Sequence, residues 1–258
     1  MNNFTFFTRS LLLIVPVLIL NGCDKHAGND TAEYLLTGVY YYGKQQQSHE
    51  YNGAGLVTRS TYTTDDNVST KYSRIVEYTY NGDNRVEQTK TYYHNLNAEA
   101  YNTNYIYDSQ GRLVQTLSTL VTNGAPYLKD TYNYDGHTIV KKHFDYENTS
   151  PSYVCTYTMD DRGNIVQDVM DDLLSANNDY TETWLDYDDQ KNVRGPGVGD
   201  VMSKNNPRRH IITAPRTSDT EYSLAYDYNG AGYVTKVKTN RKGDNYITIT
   251  NYEQTPKP

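Results

Sequence analysis

The sequence predicts an all-β protein: one antiparallel meander of about 13 to 15 strands, built from seven repeated hairpins and strongly curled or closed into a barrel. Three observations predict it. One turn pattern recurs seven times along the chain. The segments between the turns alternate at period 2 and are rich in tyrosine and β-branched residues. No window of comparable length carries the 3.6-residue period of a helix.

The turns are Tyr51-Asn52-Gly53-Ala54-Gly55-Leu56-Val57, Tyr80-Asn81-Gly82-Asp83-Asn84-Arg85-Val86, Tyr107-Asp108-Ser109-Gln110-Gly111-Arg112-Leu113 and Tyr134-Asp135-Gly136-His137-Thr138-Ile139. Met159-Asp160-Asp161-Arg162-Gly163-Asn164-Ile165, Tyr187-Asp188-Asp189-Gln190-Lys191-Asn192-Val193 and Tyr228-Asn229-Gly230-Ala231-Gly232-Tyr233-Val234 complete the set. Their opening residues are 29, 27, 27, 25, 28 and 41 positions apart. A step of about 27 residues holds two strands of about 9 residues and two connections. In the five turns that open at 51, 80, 107, 159 and 228, Gly or Asn stands four residues after the opening residue. A left-handed residue there closes a tight loop.

The strands show two faces. Tyr222, Leu224, Tyr226 and Tyr228 alternate with Glu221, Ser223, Ala225 and Asp227; Tyr101, Thr103, Tyr105 and Tyr107 share a face; Tyr246, Thr248, Thr250 and Tyr252 alternate with Ile247, Ile249 and Asn251. Simple alternation over 86–93 sets Val86, Gln88, Lys90 and Tyr92 against Glu87, Thr89, Thr91 and Tyr93. Over 139–146 it sets Ile139, Lys141, His143 and Asp145 against Val140, Lys142, Phe144 and Tyr146. Neither segment has the uniformly apolar face that a lipid-exposed strand requires. The aromatic complement is 28 Tyr against 4 Phe and 1 Trp. Tyrosine suits a sheet surface that is apolar along the ring and wet at the hydroxyl.

The first 22 residues read as a lipoprotein signal peptide. Arg9 supplies the positive flank, and Leu11 to Leu20 form an apolar run too short to span a bilayer as a helix. Leu20-Asn21-Gly22-Cys23 resembles a lipobox, which makes Cys23 the lipid-attachment residue: its thiol takes diacylglycerol, its amine a further acyl chain such as palmitate, and several chains hold where one does not. Residues 23–33 read as the lipidated cysteine and its tether, 34–253 as a single repeat-built β domain, and 254–258 as a tail. Asp30-Thr31-Ala32 resembles a three-residue O-glycosylation signal at Thr31. Cys155 has no disulfide partner in the chain if Cys23 is lipidated, and its place in phase with the tyrosines predicts a buried, inert thiol.

Tyr107 to Leu113 resembles a YD repeat of the RHS type, with the other turns as degenerate copies. The mature chain, about residues 34–253, resembles a family of bacterial lipoproteins of unknown function with a porin-like fold. Those proteins combine a lipobox, tyrosine-rich hairpins and a late segment similar to Ser203-Lys204-Asn205-Asn206-Pro207. The resemblance implies a barrel-like sheet in the cell envelope, lipid-anchored at the outer membrane. Asp24, directly after Cys23, is an inner-membrane retention signal in enteric-type sorting. The period here is longer than in true YD-repeat proteins, so the shell or spiral of large RHS chains is not implied.

The net charge is −7, and one unit more negative once Arg9 leaves with the leader. Such a chain has no general attraction for nucleic acid. No catalytic residues are assigned: there is no Gly-x-Ser-x-Gly elbow, and acids in turns are the background of an acidic β protein. Nor is a metal or other cofactor expected. Asp186, Asp188, Gln190 and Asn192 alternate as in an EF-hand loop, but Lys191 and Gly197 stand where its glycine and closing acid belong. Gly195-Pro196-Gly197-Val198-Gly199 opens no helix and is not a dinucleotide fingerprint. Of His26, His49, His94, His137, His143 and His210, only His137 and His143 are close enough in sequence to share a face.

The long step holds an insertion, Arg194 to Arg209, with a basic cluster of Lys204, Arg208 and Arg209. That cluster is the expected contact for an acidic glycan or a partner's carboxylates. The composite expectation is a non-enzymatic binding or scaffold lipoprotein whose ligand is a glycan or another envelope protein. The alternatives are a polysaccharide-active hydrolase and a transmembrane porin.

Overall fold

The computed structural model describes residues 33–63, 74–93, 100–145, 148–190, 192, 202–215, 217–244 and 247–257. Sixteen antiparallel strands form one closed barrel, each paired with its neighbours in sequence and the last with the first. In chain order they are β1 (Tyr34–Tyr41), β2 (Lys44–Tyr51), β3 (Val57–Tyr62), β4 (Arg74–Tyr80), β5 (Val86–Tyr93), β6 (Tyr101–Tyr107), β7 (Leu113–Leu120) and β8 (Pro126–Asp135). They continue as β9 (Thr138–Asp145), β10 (Tyr153–Met159), β11 (Ile165–Asp172), β12 (Tyr180–Leu185), β13 (Arg209–Ala214), β14 (Thr217–Tyr228), β15 (Val234–Arg241) and β16 (Ile247–Pro256).

The strand count exceeds the 13 to 15 expected, for a definite reason. The seven repeat turns link β2 to β3 and so on up to β14 to β15; β1 and β16 flank them and close the ring on each other. Tyr34 lies opposite Pro256 and Tyr41 opposite Thr250. The sheet therefore runs through Gln254, Thr255 and Pro256, beyond the expected domain end at 253. Lys257 seals the seam, with its main-chain N–H donating to the Glu33 carbonyl at 2.7 Å and its ammonium 2.8 Å from the Glu33 carboxylate. The signal segment, Cys23 and Thr31 lie outside the described residues.

One turn geometry recurs. In the first repeat, Asn52 Oδ1 accepts from the N–H groups of Ala54 and Leu56, both at 3.0 Å. The main chain closes twice, Asn52 N–H to Leu56 and Gly55 N–H to Asn52, both at 2.9 Å. Asn81, Asp108, Asp160 and Asn229 make the same pair of side-chain bonds. The left-handed residue stands where the sequence places it: Gly55, Asn84, Gly111, Gly163 and Gly232 have φ of 73°, 59°, 78°, 83° and 79°.

Each of these five turns carries a bulge at its opening residue; Tyr51 faces Val57, whereas Glu50 faces Arg59. One extra residue on the returning strand shifts the side-chain parity there. Buried positions are consequently three apart after the turn: Val57 and Ser60, Val86 and Thr89, Leu113 and Thr116, Ile165 and Asp168, Val234 and Val237. This corrects the faces expected for 86–93. Val86 joins Thr89, Thr91 and Tyr93 inside, and Gln88, Lys90 and Tyr92 face out. The Tyr134–Ile139 turn has no bulge, since Asp135 faces Thr138 directly, and the faces expected for 139–145 stand.

The repeats are tied to one another at this end of the barrel. Tyr51 Oη–H donates to the Leu36 carbonyl at 2.6 Å, Tyr80 to Val57 at 2.7 Å, Tyr107 to Val86 at 2.9 Å and Tyr134 to Leu113 at 2.9 Å. Tyr187 donates to Ile165, and the Gln254 amide to Val234. Each tyrosine thus bonds the main chain of the aliphatic residue one repeat earlier. Met159, at the corresponding position in its repeat, has no hydroxyl to give. The aliphatics are buried, Leu113 and Val234 to 1% exposure. Tyr51, Tyr80, Tyr134 and Tyr228 pack against their clusters. Arg112 stacks 4.7 Å over the Tyr134 ring.

Gly111 and Gly82 separate the conformational demand of the turn from mere exposure. Gly111 has φ 78° and a Cβ there would run into the Arg85 guanidinium, whereas a Cβ on Gly82 meets open space. Gly111→Ala should cost about 1–2 kcal/mol in urea unfolding, and Gly82→Ala no more than about 0.5 kcal/mol. Equal losses would contradict the turn assignment.

Candidate functional site

Among the described residues no α-helix covers the outer wall, so the buried side of each strand is the side that faces the lumen. That lining is polar. His49, Ser60, Thr89, Thr91, Thr103, Thr116, Ser118, Asp168, Glu182 and His210 are all buried strand residues. Buried polar groups persist where they are hydrogen-bonded. His49 Nδ1 lies 2.9 Å from Ser60 Oγ, and Thr103 and Ser118 hydroxyls are 2.8 Å apart. Burial pushes the His49 imidazole down to about 4, so it is neutral at ordinary pH.

Charge concentrates on one part of the wall, β8 to β13. His143 Nδ1 lies 2.6 Å from Asp130 Oδ1, with the Lys141 ammonium 3.5 Å from the same carboxylate. Burial alone would raise Asp130, but the hydrogen bond from His143 and the charge of Lys141 outweigh it and hold the carboxyl below its usual range. Two strands on, Glu182 faces Asp168 across the β11–β12 ladder and bonds His210 Nε2 at 2.9 Å. Aromatic rings flank both pairs. Tyr153 stacks on His143 at 4.4 Å. Trp184 lies parallel to His210 at 5.1 Å, and Tyr222 is 5.8 Å from the same imidazole. Flat apolar rings beside fixed donors and acceptors form a surface on which a polar ring-shaped ligand can stack and hydrogen-bond.

Sequence reasoning did not single out Asp130, Glu182 or Trp184. A signal existed: a charged residue on the inward face of a half-buried strand, as in Tyr180-Thr181-Glu182-Thr183-Trp184, needs a partner on a neighbouring strand. The register that supplies the partner is not written in either strand alone.

The insertion sits elsewhere, at the girdle end. The Tyr187 turn does not return directly as a strand. Instead, residues 202–208 fold back on it. Asp188 N–H donates to the Asn206 carbonyl at 3.0 Å and Asn192 N–H to Lys204 at 3.0 Å. Ser203 Oγ accepts from Ile165 N–H at 2.9 Å and touches the Tyr187 hydroxyl at 2.9 Å, while Asn205 N–H reaches Asn164 Oδ1 at 2.8 Å. Tyr226 donates to the Pro207 carbonyl at 2.6 Å, and Tyr228 to Asp188. Asn206 is 1% exposed. Ser203 to Pro207 therefore stands in for the missing strand start and carries the girdle across the long step.

The three residues of the basic cluster have different partners. The Lys204 side chain lies across Gly163. Arg208 is held through its main chain, donating to Leu185 at 3.1 Å and accepting from Leu224 at 2.9 Å. Arg209 is on the outer wall, bound to Glu221 at 3.0 Å and 3.5 Å from Asp186. Residues 193–201 are outside the described set. The EF-hand-like residues serve the turn: Asp188 caps Gln190, Asn192 donates to Ser203, and Asp186 faces Arg209. Among the described residues no group of three or more His, Cys, Asp or Glu is placed to hold a metal ion. His137 sits in a girdle turn, 3.6 Å from Asp161, and His143 in the lumen, so the two share no site. Cys155 is buried, and burial followed by the nearby Asp168 pushes its thiol up to about 12.

No family model matches the chain, and no curated protein matches it in sequence. Solved structures do match it in fold. A porin-like protein from Bacteroides vulgatus ATCC 8482 superposes with a TM-score of 0.55 at 13% identity, over 85% of this chain and 98% of that one. A porin-like protein from Bacteroides uniformis ATCC 8492 gives 0.41 at 13% identity, over 85% and 96%. The chain has a porin-like fold, a closed antiparallel β-barrel, as the sequence resemblance implied.

The girdle makes stability depend on alkaline pH. Burial raises Tyr107 and Tyr134 from 10.0 to about 12, and raises Tyr51, Tyr80 and Tyr187 further. The folded chain holds these phenols neutral while the unfolded chain ionises them near pH 10, so their contribution is complete below pH 10 and falls away through pH 12. The urea midpoint should drop steadily above pH 10, with the tyrosinate absorbance of these five phenols appearing only as the fold is lost. Ionisation of every tyrosine near pH 10 in the folded chain would contradict this.

Proposed function

We propose that the chain is a lipid-anchored protein of the cell envelope, held at the outer membrane through Cys23, whose barrel stands in water and binds a glycan in its lumen without catalysis. The observation that carries the reading is the outer wall. Outward positions on β5 are Gln88, Lys90 and Tyr92; on β9, Val140, Lys142 and Phe144; on β14, Glu221, Ser223, Ala225 and Asp227; on β15, Lys236, Lys238 and Asn240. A membrane-spanning barrel shows lipid an apolar band about 25 Å tall, and a Lys or Arg at its midplane costs about 2–4 kcal/mol. Here Lys90, Lys142 and Lys238 stand at mid-strand, and Glu221 pairs in the open with Arg209 at the start of β13 and Lys242 just past β15. The solved structure that superposes with a TM-score of 0.55 is described as porin-like, and the outer face of the present barrel is suited to water.

The lumen supports the binding reading. Trp184, His210 and Tyr222 on one side and His143, Tyr153 and Asp130 on the other offer ring faces with charged acceptors between them. The polar partners are already bonded to one another, an arrangement that fixes their orientation toward a ligand.

Trp184, the 1 tryptophan of the chain, reports directly on this wall. Residues 24–258 should fold without detergent, and titration with envelope and dietary glycans should shift Trp184 fluorescence saturably with no release of sugar. Trp184→Ala should weaken binding at least about tenfold, as loss of a stacking contact worth 1.4 kcal/mol would. A chain that folds only in micelles and conducts ions would establish a channel instead, and binding unaffected by Trp184→Ala would remove the lumen as the site.

A further inference from the structure

We infer that the girdle end of the barrel faces the bilayer and that the opposite mouth of the lumen opens away from it; the inference rests on the lipid anchor proposed above. Strand polarity carries the argument. The turn from β2 to β3 lies at the girdle end, and β1 runs antiparallel to β2, so β1 starts there. Leu36, the third residue of β1, is itself a girdle acceptor for Tyr51. Glu33 is pinned at the same end by Lys257. Whatever precedes Glu33 therefore leaves the barrel at the girdle.

Length limits how far the barrel can stand from the membrane. Ten residues separate Cys23 from Tyr34, and ten residues at full extension reach about 35 Å. Strands of eight residues, tilted as barrel strands are, give a barrel about 20 Å tall. An anchor at Cys23 that presented the far mouth would use more than half of that reach running back along the wall, whereas the girdle end meets the bilayer with no such detour.

This orientation divides the surface. Lys204, Arg208 and the refolded insertion lie at the membrane side. The turns Tyr42-Gly43 and 173–179 lie at the far side, on the same rim as the linked rings of Tyr93, Tyr101 and Tyr127, whose successive centroids are 6.3 and 5.7 Å apart. A lumen ligand then arrives from the aqueous side, and the surface offered to it is the far mouth, not the insertion.

The test uses the full lipidated chain on vesicles containing headgroup spin-labelled lipid. One variant carries Gly53→Cys, in a girdle turn with open space around its Cβ, and the other Leu174→Cys, at a residue 76% exposed on the far side. Cys155 is buried with a raised thiol, so a thiol-reactive dye goes to the new cysteine. The dye at Gly53→Cys should lose most of its emission, and the dye at Leu174→Cys should keep most of it. Equal quenching, or stronger quenching at Leu174→Cys, overturns the orientation. Vesicle flotation, scored first against Cys23→Ala, tests the anchor separately: a chain that floats as poorly as Cys23→Ala overturns the anchor and the orientation with it.

Discussion

The structure depends on one interaction repeated around a ring: the hydroxyl of a tyrosine that ends one strand donates to the main-chain carbonyl of the aliphatic residue that opens a strand in the preceding repeat. A hairpin pairs only with its sequence neighbours and is marginal alone. The tyrosine bond reaches past the turn to the previous repeat, from Tyr80 to Val57 or from Tyr134 to Leu113. It satisfies a carbonyl at the end of the ladder and lays an aromatic ring over the buried aliphatic. A chain with so little Leu, Ile and Phe can in this way close sixteen strands around a polar interior. Where the repeat fails, the girdle is continued by other means: by Gln254 at the seam and by Ser203 to Pro207 across the long step.

The same economy shapes what the barrel can do. With cohesion supplied at one end, by turns and tyrosines, the rest of the lumen is free to hold histidines and carboxylates. Asp130 with His143 and Glu182 with His210 are pairs on neighbouring strands, flanked by Tyr153, Trp184 and Tyr222. Charged residues stand at mid-strand on the described outer wall, as Lys90, Lys142 and Lys238 do, and on that ground we propose attachment through Cys23 and a working surface in the lumen.

The turn chemistry was legible in the sequence down to the left-handed residue at Gly55, Asn84, Gly111, Gly163 and Gly232, because an Asx side chain and a glycine are local signals. The barrel was legible from the evenness of the steps. Two things were not. Bulges at the opening tyrosines shift parity by one, so alternation counted from Val86 assigns Gln88, Lys90 and Tyr92 to the wrong face. The seam between β1 and β16 joins segments more than two hundred residues apart, with no repeat motif of its own. For the site, Lys204, Arg208 and Arg209 are near in sequence, but their partners were not legible there: Lys204 lies across Gly163, Arg208 bonds Leu185 and Leu224 through its main chain, and Arg209 pairs with Glu221 on the outer wall. The sequence marks most girdle acceptors only as the aliphatic residue that closes each repeated turn; the bond itself goes to a backbone carbonyl and is not legible there.

The measurement that bears most directly on the girdle is a series of hydroxyl deletions: Tyr51→Phe, Tyr80→Phe, Tyr107→Phe and Tyr134→Phe, each compared by urea unfolding with Tyr92→Phe. Tyr92 donates to Glu77 at 2.8 Å on the exposed outer wall and belongs to no girdle contact. Each girdle variant should lose about 1 kcal/mol or more, the worth of a hydrogen bond whose removal leaves a covered carbonyl unpaired, while Tyr92→Phe stays within about 0.5 kcal/mol of the parent. Girdle variants as stable as Tyr92→Phe would mean that the rings alone hold the repeats together and that the hydroxyl bonds are incidental.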